Sequence, residues 1–223
     1  PLGGSGEIGM NLNLFGCAGR WLMIDLGIGF AGDEVPGVDI MVPDISFIAE
    51  RRDRLDGLVL THAHEDHLGA VAYLWPRLRC PVYATPFAAA VLRRKLIEAG
   101  LDGEVDVRDV APGRRFSLGP FEVEFVKAAH SIPEAHVLAV RTPAGTVVHA
   151  TDWKLDPGPL IGNVTDEDAL RRLGDEDILA MTCDSTNAMV PGRSGSEAEL
   201  RDSLIELIGR CTSRVAVACF SSN

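Results

Sequence analysis

Apolar and polar positions change their spacing several times along the chain, and each change marks an element. Residues 11–15 and 21–25 are strand-like runs separated by Gly16-Cys17-Ala18-Gly19, which predicts a hairpin. Asp25-Leu26-Gly27-Ile28-Gly29 ends the second run in a glycine-rich turn. Residues 55–60 are apolar up to Thr61 and read as a buried strand, while 68–75 read as a helix stopped at Pro76. Val82-Tyr83-Ala84 predicts a strand, followed by Thr85-Pro86 and a helix to about Gly100, with proline suited to the first turn. Residues 121–126, 135–142 and 145–150 predict three strands, with Pro143-Ala144-Gly145 turning between the last two. Thr165-Asp166-Glu167-Asp168 opens a short helix, and 178–183 reads as another buried strand. Strands paired early by a hairpin and later separated by helices predict an α/β fold, an αββα sandwich of two mixed sheets with helices outside.

The composition shifts at Val190-Pro191-Gly192-Arg193-Ser194-Gly195, the best candidate linker. Beyond it, Ser196-Glu197-Ala198-Glu199 is a capping box that opens a helix to about Arg210, and 214–220 reads as a strand. These residues predict a new α/β unit, dividing the chain into 1–190 and 191–223.

Composition bounds the class. With 223 residues, 46% hydrophobic and 24% charged, the chain buries a full core and is ordinary for a globular protein. It has no run of about eighteen apolar residues, so no membrane span is predicted. The start at Pro1 shows no basic-then-apolar signal region. Cys17, Cys80, Cys183, Cys211 and Cys219 are scattered in apolar contexts without a CxxC pair, which predicts free, reduced, buried thiols and a cytoplasmic location. The net charge of −11 does not point to a polyanionic partner; Arg93-Arg94-Lys95 and Arg114-Arg115 are read as solvated surface rather than basic patches.

The chemistry is concentrated in Thr61-His62-Ala63-His64-Glu65-Asp66-His67-Leu68-Gly69, which holds three of the chain's six histidines. The cluster lies where a predicted strand ends and a helix begins, the usual place for a site in an α/β sheet. His62 and His64 are two apart, so in an extended loop both face one way. Imidazoles and carboxylates are ligands of zinc-like ions, and four such groups so close point to two ions rather than one. His130 and Asp152 also follow predicted strands, so all six groups can meet on one sheet edge. Glu65 alternates to the other side and is read as solvent-facing or supporting. His136 and His149 are read as structural, Lys154 and Asp156 as an ordinary ion pair.

The run His62-Ala63-His64-Glu65-Asp66-His67 resembles the HxHxDH signature of the metallo-β-lactamase superfamily. Leu2-Gly3-Gly4-Ser5-Gly6-Glu7-Ile8-Gly9-Met10-Asn11, His130-Ser131-Ile132-Pro133-Glu134, Asp152-Trp153-Lys154-Leu155-Asp156 and Asp184-Ser185-Thr186-Asn187-Ala188 look like the motifs of the ribonuclease J family, in that family's order. One departure is Ala150-Thr151 before Asp152, where the family usually has Thr-Gly. The resemblance implies a metallo-β-lactamase sandwich in 1–190 and the beginning of an inserted β-CASP domain in 191–223. It reaches Phe220-Ser221-Ser222-Asn223, and implies that the rest of that domain and one further histidine ligand lie outside this sequence. It implies that His62, His64 and His130 hold one divalent ion, Asp66 and His67 a second, and that Asp152 bridges them. Zinc is the implied metal, with manganese as the alternative. Asp66, Asp152 and Asp184 are the implied catalytic acids, and Asp25 a support for the ligand loop. For Asp184 the competing reading is a turn aspartate bonded to the Ser185 or Thr186 amide. The implied activity is hydrolysis of RNA to 5′-phosphate products, by exonuclease or endonuclease action, in a homo-oligomeric protein. The alternatives are a small-molecule lactonase or thioesterase of the same superfamily, and a non-catalytic RNA-binding paralogue. Cleavage of labelled RNA set beside hydrolysis of a generic ester, with and without chelator, separates the three.

Overall fold

The computed structural model describes residues 1–32 and 35–219. In chain order the strands are β1 (Asn13–Cys17), β2 (Arg20–Ile24), β3 (Gly29–Phe30), β4 (Ile40–Met41), β5 (Leu55–Val59), β6 (Val82–Ala84), β7 (Val107–Asp109), β8 (Arg115–Leu118), β9 (Phe121–Lys127), β10 (His136–Thr142), β11 (Gly145–Ala150) and β12 (Ile178–Cys183). The helices are α1 (Ser46–Ala49), α2 (Glu65–Leu68), α3 (Val71–Leu78), α4 (Pro86–Glu98), α5 (Glu167–Gly174) and α6 (Glu197–Gly209). One sheet runs β1-β2-β5-β6-β7, the other β12-β11-β10-β9-β8, and β3 pairs with β4. Both larger sheets are mixed. In the first, β1 is antiparallel to β2 and the remaining pairs are parallel. In the second, β8 to β11 form an antiparallel meander to which β12 adds in parallel.

Side-chain alternation explains the four layers. On β2, Leu22 and Ile24 enter the cluster between the sheets, while Met23 joins the one beneath the helices. On β9 and β10, Phe121, Val123, Phe125, Leu138 and Val140 face the other sheet, and Val126, Val137 and Ala139 face Leu173 of α5. Leu74 of α3 and Leu92 of α4 close the first sheet's outer face over Leu58 and Val82. The predicted αββα order is therefore present. Truncating the fully buried Phe125 to alanine is the kind of change that costs about 3–5 kcal/mol.

Five local expectations need correction. The helix after the histidine run is interrupted, not continuous: the Ala70 N–H donates to Leu26 O (3.0 Å), which separates α2 from α3. Pro76 lies inside α3 rather than ending it, because its ring faces solvent and the chain turns only at Arg79, whose φ is 52°. β12 is an exposed edge strand, with Leu179 and Met181 56% and 58% accessible; an apolar run reads alike whether or not a neighbour covers it. Residues 214–219 form no strand, since no ladder partner lies beside them among the described residues; the rest of that expectation, 220–223, lies outside the described residues. α6 does form with its capping box, yet none of its residues is buried. The cysteines are all free, but only Cys80 is buried: Cys17 is half-buried and Cys183, Cys211 and Cys219 are exposed.

Candidate metal centre

The ligand loops leave the sheets at one edge. His62 follows β5, Asp25 follows β2, His130 lies just beyond β9 and Asp152 just beyond β11. Three segments are woven together beneath the histidine run by backbone bonds. Asn11 N–H donates to Asp66 O (3.0 Å), Leu26 N–H to His67 O (2.7 Å) and Ile28 N–H to Glu65 O (3.0 Å). Gly27 is required here for space, since a Cβ would stand 1.6 Å from Asp66 O and 2.6 Å from His67 N. Across the cleft, an isolated bridge pairs Ala129 with Lys154, and the Thr165 hydroxyl accepts from Ala129 N–H (2.8 Å) while donating to Lys154 O (2.7 Å). Thr165 thus staples the His130 loop to the Asp152 loop. Glu134 braces the same loop from behind, its carboxylate accepting from Phe87 N–H (2.8 Å) at the start of α4.

Asp25 orients two of the imidazoles. It is fully buried, and its φ of 60° turns the chain back toward the histidine run. Oδ1 accepts from Thr61 N–H (2.8 Å), and Oδ2 accepts from the Thr61 hydroxyl (2.8 Å) and from His67 Nδ1–H (2.7 Å). The Thr61 hydroxyl has given its one proton to Asp25, so at 3.0 Å it accepts from His62 Nδ1–H. Both rings therefore present Nε2 lone pairs to the cleft.

The inward-facing atoms match the spacing of a metal's ligand shell. Atoms bonded at about 2.1 Å to a tetrahedral ion stand about 3.4 Å apart. His62 Nε2 to His64 Nδ1 is 3.1 Å, His64 Nδ1 to His130 Nε2 is 3.0 Å, and His130 Nε2 to Asp152 Oδ2 is 3.3 Å. A fourth edge, His62 Nε2 to Asp152 Oδ2, is 4.0 Å. In the second group His67 Nε2 lies 3.4 Å from both Asp66 Oδ2 and Asp152 Oδ1. Asp152 thus offers one oxygen to each group, and within each the ligand atoms lie within 4.8 Å of one another. The donor sets, three imidazoles with a carboxylate and one imidazole with two carboxylates, suit divalent cations of the zinc type.

The charge environment favours a cation. Burial, reinforced by the His67 ring, pushes His62 well below its ordinary value and keeps it neutral. Burial also opposes ionisation of Asp152, but hydrogen bonds with His130 and His67 and the charge of the neighbouring rings hold it far below the carboxylate range. At His67 burial is outweighed by the Asp25 charge and by bonds to Asp152, Asp25 and Asp66, so its basicity is raised well above normal. For Asp66, the bond with His67 and that ring's charge overcome burial and lower its pKa.

The structure brings together His62, His64, Asp66, His67, His130 and Asp152, and it does not bring Asp184 into that group. Asp184 Oδ1 accepts from the Thr186 N–H (2.8 Å) and hydroxyl (2.7 Å), and its own N–H donates to Ala150 O (2.9 Å). The Ala150-Thr151 departure still delivers Asp152 to the cluster, with the buried Thr151 hydroxyl unpartnered among the described residues. Glu65 turns away to Lys95 (2.6 Å) of α4. Arg93, Arg94 and Lys95 pair with Asp109, Glu98 and Glu65, and Arg115 with Glu124, so these four cations are locally neutralised. His136 and His149 are buried beside Phe125 and Phe15, bonded to Glu134 O (2.6 Å) and Thr182 Oγ1 (2.6 Å). Lys154 meets Asp156 (3.3 Å) as expected, and Asp156 also accepts from Ser196 Oγ (2.7 Å) and Glu197 N–H (2.9 Å), anchoring α6. Asn11, Thr61 and Glu134 stand inside the runs quoted from the sequence but carried no individual role there, and Thr165 was read only as part of a helix start.

Comparison with known proteins agrees with this geometry. Residues 20–206 match the family described as the β-lactamase superfamily domain. The chain is 48% identical to ribonuclease J of Sinorhizobium meliloti and 44% identical to ribonuclease J of Mycolicibacterium smegmatis, in each case over 100% of this chain and 40% of the relative. A solved structure of a Cronobacter sakazakii metallo-β-lactamase, a mutant of its HARLDQ motif, shares the fold with a TM-score of 0.51 at 15% identity, covering 91% of this chain and 78% of that one. The chain spans 40% of the length of those two ribonucleases. No helix among the described residues is long and apolar enough to cross a membrane. With its sandwich and its histidine–aspartate cluster, and with a whole length similar to part of ribonuclease J, the chain belongs to the β-lactamase superfamily.

Proposed function

We propose that this chain carries the metal centre of a ribonuclease that hydrolyses RNA phosphodiester bonds, leaving 5′-phosphate ends, in RNA maturation and decay. The observation that carries the reading is the pair of ligand groups joined through the two oxygens of Asp152. His62, His64, His130 and Asp152 would hold one divalent ion, and Asp66, His67 and Asp152 a second. Zinc suits the nitrogen-rich first group best, with manganese as the alternative in the oxygen-rich second. When bound, such ions supply Lewis acidity and a water activated at neutral pH. The protein's part is orientation. Asp25 and Thr61 fix the ring tautomers, and Asp152 and Asp66, each about 30% exposed, face the cleft where a phosphate would enter. Asp66 Oδ1 has no role in the ligand spacing and is assigned as the proton acceptor. Asp184, turned to Thr186, is assigned a positioning role between β12 and the Asp152 loop.

The same reading assigns 1–190 to the catalytic sandwich and 191–223 to the beginning of a β-CASP domain; the largely exposed α6, held through Asp156, supports it. RNA as substrate rests on the similarity to ribonuclease J, and a cytoplasmic location on that similarity and the free cysteines. Homo-oligomeric assembly is proposed by the same family argument. The test incubates labelled RNA and a generic ester with the protein, with and without chelator. Chelator-sensitive RNA cleavage with an inert ester supports the reading; ester turnover without RNA cleavage overturns it.

A further inference from the structure

We infer that Asn11 is a positioning residue for the second metal group, and that the glycine-rich opening of the chain exists in part to hold its amide in place. The inference rests on the reading that Asp66, His67 and Asp152 hold an ion. Asn11 Nδ2 lies 3.1 Å from Asp66 Oδ2 and 3.1 Å from His67 Nε2, the two atoms those residues turn toward the cleft. A carboxylate can swing either oxygen toward a cation. An N–H bond to Oδ2 fixes the Asp66 plane and leaves that oxygen a further lone pair for coordination. The amide is neutral, so it does this without the repulsion a lysine would bring to a divalent ion.

The placement of Asn11 is over-determined. Its backbone N–H donates to Asp66 O (3.0 Å) and its carbonyl accepts from Gly27 N–H (3.1 Å), so Asn11 and Asp66 are joined through both backbone and side chain. On the far side, Gly4 (φ +80°) packs against the amide oxygen; a Cβ there would stand 2.3 Å from Asn11 Oδ1. The loop is closed further by Gly4 N–H donating to Glu7 (3.0 Å). The amide is therefore held with its N–H directed at Asp66 Oδ2, which leaves the His67 Nε2 lone pair for the ion.

The test is a zinc titration of the metal-free protein by calorimetry, with melting curves recorded on the same metal-free samples. Two steps are expected for the parent protein, the tighter from the four-ligand group. Asn11→Ala removes the amide, and Asn11→Leu removes its hydrogen bonds while keeping its bulk. Both are expected to weaken the second step by about 10–100-fold and leave the first step and the metal-free melting temperature unchanged. An unchanged second step, or an equal loss at both steps, overturns the inference. A parent protein with a single step overturns the dinuclear reading itself, and the inference with it.

Discussion

Asp25 Oδ2 accepts from His67 Nδ1–H at 2.7 Å, both side chains being fully buried, while the same oxygen accepts the Thr61 hydroxyl that faces His62. One carboxylate outside both ligand groups thus orients a ring in each. Asp25→Asn keeps the shape, but its amide can no longer accept on both sides. Affinity at both metal steps is expected to fall about 10–100-fold. Metal retained after dialysis, measured by elemental analysis, reports the outcome, and undiminished retention would show that the Asp25 carboxylate is not needed to orient the rings.

Neighbouring acids in the histidine run have opposite fates. Asp66 faces His67 and Asn11, whereas Glu65 pairs with Lys95, each side chain about 30% exposed. In the RNA-cleavage assay Asp66→Asn is expected to abolish turnover. Glu65→Gln, which loses a partly exposed ion pair worth about 0–1 kcal/mol, should keep most of it. Equal losses would reverse the assignment.

At Gly27 there is no room for a methyl group, because the Asp66 carbonyl occupies the space. Gly27→Ala must push the histidine run off Leu26 and Ile28, so large losses of both thermal stability and metal binding are expected. Gly19→Ala meets open space but has a φ of +74°, and should cost about 1 kcal/mol of stability with metal binding intact. Circular-dichroism melts and metal titration of the pair distinguish local strain from damage to the site.

Two buried histidines make the fold acid-sensitive. Burial lowers His136 and His149 from 6.5 to about 4. Above pH 6.5 neither folded nor unfolded rings are protonated, and their contribution is constant. As pH falls from 6.5 toward 4, the unfolded chain takes up protons that the folded rings refuse, and stability drops by about 3 kcal/mol per ring. Below that window both states are protonated and this loss ends. Denaturant midpoints across the range should flatten in a His136→Gln, His149→Gln double variant; an identical slope would assign the sensitivity to other groups.

Much of the site was legible because metal ligation restricts residue type and leaves a cluster visible in one dimension. His62, His64, Asp66 and His67 stand within six positions, on a loop and the start of α2, and His130 and Asp152 each follow an apolar run. The hairpin, α4 and the α6 capping box were legible for a similar reason, since turn and cap chemistry is local. Asn11 and Thr165 were not, because a polar side chain acquires its role only from the distant groups that folding places beside it. The same limit explains β12. Its apolar run predicted burial, but burial depends on a neighbouring surface that the run itself does not encode.

The first ligand group also has a meaning for the unfolded chain. His64 comes from the first sheet's edge and His130 from the second's, 66 positions later. A covalent link around a loop of that size removes about 4 kcal/mol of conformational freedom from the denatured ensemble. On the proposed ligand assignment, joint coordination by these two residues would close the same loop. Metal loading would then reinforce the docking of the two sheets that the apolar cluster between them already provides, so chelation should lower the stability of the folded molecule.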